Sequence, residues 1–353
     1  MGMGWKNLSN KPIGVIGSGS FGSAVANILA QNRDVVLYAR KPEVVQEMLL
    51  TRTSSDIPLN DRVTPTNDLE LVASNCDIIF PIVPSSNFRD LMRQLSPFLH
   101  PYHILIHGTK GLDISLPKGM TLQDETLLTR ENVKTMSEVI REESVVVRVG
   151  CMAGPNLARE LGAGQPAATV IASQFNEVVH EGQRLLRNDL FQVYGSSDLI
   201  GVELCGVLKN IIAIASGALS GLGLGENARA LLISRGMVET IYLGKALGGN
   251  TQAFLGLAGV GDMVATCSST LSRNYTVGYR LAKGENIDQI LETMEEVAEG
   301  VNTIKIAKRL ADYYKVRAPI TETLYKVLHQ KLTVEEALTY LMRYPFNVDI
   351  DFL

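Results

Sequence analysis

Four groups of residues in this 353-residue chain have types and spacings that could do chemistry. The first is Gly17-Ser18-Gly19-Ser20-Phe21-Gly22, a GxGxxG that follows an apolar run at 13–17 and opens a helix-length segment. In that context Gly17 permits a tight strand-to-helix turn and Gly19 leaves the backbone open to a pyrophosphate. Gly22 lets helix and strand pack closely, and the amides of Ser20 and Phe21 sit at the positive end of the helix. The bland alternative is a glycine-rich turn with no ligand. At the end of the next apolar run, an acidic residue would take the ribose 2′-hydroxyl of NAD. This chain has Ala39-Arg40-Lys41 there, with no acid until Glu43. A guanidinium suits a 2′-phosphate, so the spacing favours NADP over NAD. Otherwise Arg40 is a solvated loop cation that only stacks on adenine.

The other three groups could act on a substrate. Lys110 lies just past the apolar run HILIHG (103–108), at the edge where open parallel sheets collect ligands. It could equally be an ordinary loop lysine. Lys209 sits on a helical stripe of mostly small residues, Val202, Cys205, Gly206, Ala213, Ser216 and Gly217, and has no acid three or four residues away. Such a lysine either snorkels to the surface or needs a cavity, a distant partner or a ligand. Desolvation would lower its pKa, as a proton donor requires. Finally, GLAGVGDMVATCSSTLSRN (256–274) contains Asp262 after a glycine turn, where its bland role is an N-cap. It ends in Ser272-Arg273-Asn274, which could grip a phosphate or form a polar surface loop.

These groups need a scaffold. Apolar runs at 13–17, 35–39, 77–83, 103–108, 144–150, 168–173 and 191–195 are nearly continuous rather than alternating, as strands buried on both faces are. A helix-length segment separates the first two. The rhythm predicts an α/β fold: an N-terminal doubly wound, Rossmann-like, mainly parallel sheet. After about residue 196 helical patterns take over, at 197–219, 227–247, 287–314 and 321–329. A last helix is announced by a capping box, Thr333 with Glu336. The division is therefore a dinucleotide-binding domain at 1–195 and an all-helical substrate-binding and catalytic domain at 196–353.

Composition narrows the class. Hydrophobic residues are 46% and charged residues 20%, enough for a sizeable core. The net charge of -4 argues against nucleic acid as a partner. Cys76, Cys151, Cys205 and Cys267 form no CxxC pair, which fits a reducing cytoplasm. The N-terminus shows no signal peptide, and Lys6 stands where a myristoylation start wants Ser or Thr. The most apolar run, 211–225, is shorter than the ~20 residues of a spanning helix. No membrane partner is expected.

With these residues in view, the sequence resembles NAD(P)-dependent sn-glycerol-3-phosphate dehydrogenases of the bacterial type. The matching pieces are GVIGSGSFGSAVA (14–26), GTKGLD (108–113), AGPNLAREL (153–161), GVELCGVLKNIIAIASG (201–217), NARALLISRGMVE (227–239), GLAGVGDMVATCSSTLSRN (256–274), EVAEGVNT (296–303) and PITETLYKVL (319–328), in the family's order. The resemblance implies reversible reduction of dihydroxyacetone phosphate to sn-glycerol 3-phosphate with NADPH or NADH, supplying glycerophospholipid synthesis. It implies that Lys209 is the catalytic proton donor and acceptor, with Lys110 and Asp262 as the other active-site residues. Arg273 and Asn274 become the phosphate clamp. Ser272, Gly154, Asn156 and Asn210 join the substrate contacts. Ser20, Phe21, Arg40, Lys110, Ala158, Arg273, Val297 and Glu299 fall at cofactor-contacting positions, beside Gly17, Gly19, Gly22 and Lys41 of the loops above. A cytoplasmic homodimer follows from the family. The sequence departs from the bacterial pattern at Ala153 and Asn156, where hydroxyl residues are usual, and Phe21 brings no hydrogen-bonding group.

Two rival readings have different tests. Another two-domain dehydrogenase of 2- or 3-hydroxyacids, or a ketopantoate reductase, would hold a carboxylate near the first domain's loops. A dinucleotide sensor would bind cofactor without turnover. Of the remaining features, His100, His103 and His107 lack a completing acid or thiol, so no metal is expected. The paired acids Glu295-Glu296 read as a charged helix face and Asp349/Asp351 as a tail.

Overall fold

A computed structural model of the chain describes residues 10–115, 128–294, 296–330, 332–345 and 349. The start of the chain up to residue 9, Glu295 and Asp351 lie outside these residues, so the readings made on them are not addressed below.

Eight strands form one sheet: β1 (Ile13–Ile16), β2 (Val35–Tyr38), β3 (Val63–Thr66), β4 (Ile78–Pro81), β5 (Ile104–His107), β6 (Arg148–Ala153), β7 (Ala167–Ser173) and β8 (Phe191–Ser196). Their spatial order is β8-β7-β6-β5-β4-β1-β2-β3. All neighbours are parallel except β6 and β7. The chain runs outward from β1 to β3 and returns to β4 on the other side of β1. The crevice at the carboxyl ends of β1 and β4 is thus the topological switch point. One face is covered by Ser20–Ala30 and Asn176–Leu186, the other by Leu69–Asn75, Ser85–Leu95 and Met136–Glu143. The sheet is doubly wound and mainly parallel, as the apolar runs predict.

Two strand expectations need correction. The segment VTPT, β3, is an unexpected eighth strand. Its Pro65 and its alternating burial hid it, and both belong to an edge position, which β3 occupies. The run 144–150 is shifted: the strand begins at Arg148 and runs to Ala153, because Val145 and Val147 are exposed. Apolar residues outside a sheet read like strand in sequence alone.

The helical half is built around Leu199–Gly221, capped by the Asp198 carboxylate, which accepts from the Gly201 amide at 2.9 Å. Nearly every residue of this helix is buried, and it packs on β6 and β7 as well as on later helices. The run 211–225 takes in only the second half of this helix, which ends at Gly221. Over its full 23 residues this helix is long and apolar enough to span a membrane, but 94% of its most apolar window is buried in protein. It crosses Arg273–Ala282 backbone to backbone. A Cβ on Gly217 would stand 1.9 Å from the Tyr275 carbonyl oxygen, and one on Gly278 would stand 1.8 Å from that of Ile214. Of the small-residue stripe around Lys209, Gly217 serves this crossing, whereas Gly206 faces the Lys110 side chain.

Glu226–Ala246 and Pro319–His329 follow their predicted ranges, and Val334–Met342 begins at the announced capping box, Thr333 with Glu336, which is formed on both sides. Glu239 of the first of these is buried and accepts from the Ile320 and Thr321 amides, both at 2.8 Å, at the start of the second. The expected helix 287–314 is instead two, Ile287–Thr293 and Glu299–Tyr314. Between Thr293 and Glu299, Glu296 stands on no helix face and is turned toward the glycine loop. All four cysteines are buried free thiols.

Candidate active site

The GxGxxG turn sits at the switch point. Gly17 has φ +122, and a Cβ there would stand 2.0 Å from the Ile82 carbonyl oxygen. A Cβ on Gly22 would meet the Gly17 carbonyl oxygen at 1.9 Å, whereas one on Gly19 would find nothing within 4 Å. The loop therefore closes tightly on the protein and is open on its outer side, over the N-terminus of Ser20–Ala30. These residues fit a dinucleotide pyrophosphate. Phe21 lies against Gly108, whose added Cβ would be 3.0 Å from the ring. The short helix that begins at Ala158 packs on Ser20–Ala30. Arg40 and Lys41 stand exposed just past β2.

Across the crevice is a buried cluster of three charges. Asp262 opens Asp262–Ser268 directly after a π-helical turn, Leu257–Gly261, a form of backbone often met at functional sites. Its side chain caps nothing. Its Oδ2 accepts from Lys110 Nζ at 2.7 Å and its Oδ1 stands 2.9 Å from Lys209 Nζ. The missing local partner of Lys209 is thus a residue 53 positions away in sequence. Lys209 and Asp262 are 5% and 2% exposed, and Lys110, at its rim, donates also to the Gly154 carbonyl oxygen at 3.0 Å. Burial lowers the Lys209 pKa to about 8, Asp262 opposes that fall and the Lys110 charge adds to it. Burial alone would raise the Asp262 carboxyl, but the two ammonium groups hold it below the usual carboxylate range. Two cations and one anion leave a single positive charge in a place with little water, which favours an oxyanion beside it.

Around this cluster, Asn210 Nδ2 reaches the Lys110 carbonyl oxygen at 3.4 Å. Asn156 donates to the Ala168 carbonyl oxygen at 3.0 Å, and its own Oδ1 is buried with no hydrogen-bond partner. Ser272 caps Arg273–Ala282 by accepting from Tyr275 N. Asn274 Oδ1 accepts from the Gly300 amide at 2.9 Å. Arg273 points back to the crevice, donating to the Val297 carbonyl oxygen at 3.1 Å. Glu299 crosses to the sheet half, where it accepts from the Ser85 amide at 2.8 Å.

Three residues join the site that the sequence does not assign to it: Thr266 and Ser85 are not singled out there, and Glu296 is read only as part of a charged helix face. Thr266, one turn after Asp262, contacts Lys209 Nζ through its hydroxyl and lies 3.1 Å from Asp262 Oδ1. Its four-residue offset from Asp262 was the available signal. Ser85, the Glu299 partner, had none. Glu296 accepts from Ser20 Oγ at 2.7 Å and lies 3.2 Å from Arg273 Nε. It bridges the glycine loop and the expected phosphate clamp instead of lying on a helix face.

The three histidines form no common site, although the His100 and His103 rings stack at 5.9 Å. His103 bonds the His100 amide and the Ala73 carbonyl oxygen, and His107 bonds Glu203. Among the described residues no three His, Cys, Asp or Glu side chains are grouped to hold a metal.

Comparison with known proteins shows the family. Residues 12–179 match the family described as NAD-dependent glycerol-3-phosphate dehydrogenase N-terminus, and 198–339 match the corresponding C-terminus. The glycerol-3-phosphate dehydrogenase [NAD(P)+] of Pseudomonas putida is 39% identical over 348 residues, covering 97% of each chain. That of Geobacter metallireducens is 41% identical over 335 residues, 94% of this chain and 96% of its own. The crystal structure of the Coxiella burnetii glycerol-3-phosphate dehydrogenase superposes with a TM-score of 0.83 at 32% identity, over 94% of this chain and 99% of that one.

Proposed function

This chain belongs to the NAD-dependent glycerol-3-phosphate dehydrogenase family, and on that premise we propose that it reduces dihydroxyacetone phosphate reversibly to sn-glycerol 3-phosphate in the crevice between the Gly17–Gly22 loop and the Lys110–Asp262–Lys209 cluster. One observation carries the assignment of roles: a single buried carboxylate holds two ammonium groups, one from each half of the chain. When bound, the nicotinamide dinucleotide supplies the hydride.

The protein's own part is positioning and proton handling. As the ketone carbon gains a hydride, its oxygen becomes an alkoxide, and Lys110 and Lys209 stabilise that charge. Lys209 then transfers a proton from Nζ to the oxygen, leaving a neutral amine that is held by Asp262 and Thr266. In oxidation the neutral amine takes the proton back. Arg273 and Asn274, with Ser272 beside them, hold the substrate phosphate and fix the carbonyl's orientation. Gly154, Asn156 and Asn210 line the same pocket.

For the cofactor, Gly17, Gly19, Gly22, Ser20 and Phe21 cradle the pyrophosphate, with Ala158, Val297 and Glu299 completing the binding face. The family uses NAD or NADP; Arg40 and Lys41, exposed past β2 with no acid between them and Glu43, support NADPH as the better partner. We divide the labour at residue 195, with the dinucleotide in 1–195 and the substrate in 196–353, in a cytoplasmic homodimer that feeds glycerophospholipid synthesis. Family membership speaks against the hydroxyacid dehydrogenase and sensor alternatives.

Lys209→Ala decides the assignment. Turnover of dihydroxyacetone phosphate should fall by about three orders of magnitude while NADPH binding, read by fluorescence, is retained. Near-normal turnover would refute it.

A further inference from the structure

The long helix touches the Lys110 loop at three successive points, and the innermost is a buried ionisable pair that the chemistry above does not use. His107 ends β5, and Lys110 follows three residues later. His107 Nε2 and Glu203 Oε1 are 2.8 Å apart, with side chains 2% and 3% exposed. The same Glu203 carboxylate accepts from the Ser137 amide at 2.9 Å and from the Ser137 hydroxyl, at the start of Met136–Glu143. Next along the helix, Gly206 would place a Cβ 3.4 Å from Lys110 Cγ, so the lysine stem lies on bare backbone. Then Asn210, adjacent to Lys209, donates to the Lys110 carbonyl oxygen.

The spacings match. From Glu203 to Asn210 the helix rises about 10 Å at ~1.5 Å per residue. From His107 to Lys110 an extended chain also covers about 10 Å. The loop therefore runs alongside the helix, tied at both ends, with Lys110 delivered at the level of Lys209. Asp262 holds the two ammonium groups at their tips; Glu203 ties the two backbones at their base.

We propose that Glu203, acting through His107 and Ser137, is a positioning residue that sets where the Lys110 ammonium stands relative to Lys209. The three donors keep the carboxylate satisfied despite complete burial, so the tie can persist while Asp262 exchanges partners with substrate. His107 Nδ1 has no hydrogen-bond partner, so the ring's one engaged atom is the one that grips Glu203. The His107 and Phe88 rings pack edge to face with centroids 5.9 Å apart.

The inference rests on the function proposed above, and the test separates the two. Glu203→Ala should lower kcat at least tenfold. With Lys110 released, its charge no longer depresses Lys209, so the alkaline limb of the reduction profile should move up by at least about half a pH unit. Glu203→Gln should restore kcat to within about threefold, because its amide oxygen can accept from Ser137 N and His107 while its NH2 donates to the Ser137 hydroxyl. Should Glu203→Ala not fold, His107→Leu against His107→Gln repeats the comparison, since glutamine keeps a donor toward Glu203. The proposal is overturned if the disruptive variants keep kcat within twofold, if the alkaline limb does not move, or if the conservative variants do no better than the disruptive ones. Lys209→Ala run beside them distinguishes the failures: if it stays active, the proposed function itself is wrong.

Discussion

Asp262→Asn removes one negative charge and little volume, and its consequence can be worked from the cluster. At 2.9 Å and an effective dielectric near 20, the attraction between the carboxylate and the Lys209 ammonium is about 6 kcal/mol before relaxation. If one third survives reorganisation, about 2 kcal/mol of support for the charged lysine disappears. The repulsion from Lys110, now unshielded, acts in the same direction. In the proposed mechanism reduction needs Lys209 protonated, and its pKa of about 8 should put the alkaline limb of the parent profile there. In the variant that limb should move about 1.5 pH units lower. At pH 8 the protonated fraction would drop from about one half to about one in thirty, a loss of roughly fifteenfold from protonation alone. The assay is the rate of NADPH oxidation with saturating dihydroxyacetone phosphate from pH 5.5 to 9.5, with cofactor binding measured at each pH. Oxidation of glycerol 3-phosphate, which needs the neutral amine, should gain relative activity below pH 8 in the same variant. An alkaline midpoint that stays in place would refute the electrostatic role given to Asp262, whatever happens to the maximum rate.

Other outcomes follow from the same geometry. Arg273→Ala should raise the KM for dihydroxyacetone phosphate about a hundredfold but change that for unphosphorylated dihydroxyacetone little; equal losses would mean that it does not hold the phosphate. Arg40→Asp should weaken NADPH by ten- to a hundredfold and NADH far less, read as the ratio of the two kcat/KM values. Burial pushes the Glu239 carboxyl up to about 7, so the folded chain keeps a proton that the unfolded chain has released. That stabilisation is complete below the unfolded value and is lost as pH rises through about 7. Relative to the parent, Glu239→Gln should flatten the fall in unfolding free energy between pH 4.5 and 7, by up to about 3 kcal/mol in urea titrations; parallel curves would contradict it.

Much of this site was legible because its residues carry strong local constraints. Gly17 and Gly22 are needed by backbone contacts so close that no side chain fits, and the motif around them advertises the turn. Lys209 was conspicuous because it had no neighbour to neutralise it on an apolar helix. Asp262 looked like a helix cap, since its partners are 53 and 152 positions away and no local pattern encodes so distant a meeting. Glu296 was misread for a related reason. Periodicity joins 287 to 314 into one helix, and only the fold shows two, with its carboxylate between them at Ser20 and Arg273. The edge strand at Val63–Thr66 escaped because half-exposed strands with proline lose the apolar continuity by which the central ones are recognised.

The crossing of Leu199–Gly221 with Arg273–Ala282 has a consequence for how the chain is made. Synthesis runs from the N-terminus, so a helix apolar enough to pass for a membrane span is complete when β6 and β7 are there to receive one side of it but before the later helices that complete its cover exist. Its partner across Gly217 and Gly278 is added only after about fifty more residues have emerged. During that interval its greasy surface is open to other nascent chains, to membranes and to chaperones. Chains truncated between residues 225 and 270 should therefore be captured by holdases or aggregate, while release comes once the arginine-bearing helix docks. The helix that carries Lys209 is thus also one whose burial is completed only late in synthesis.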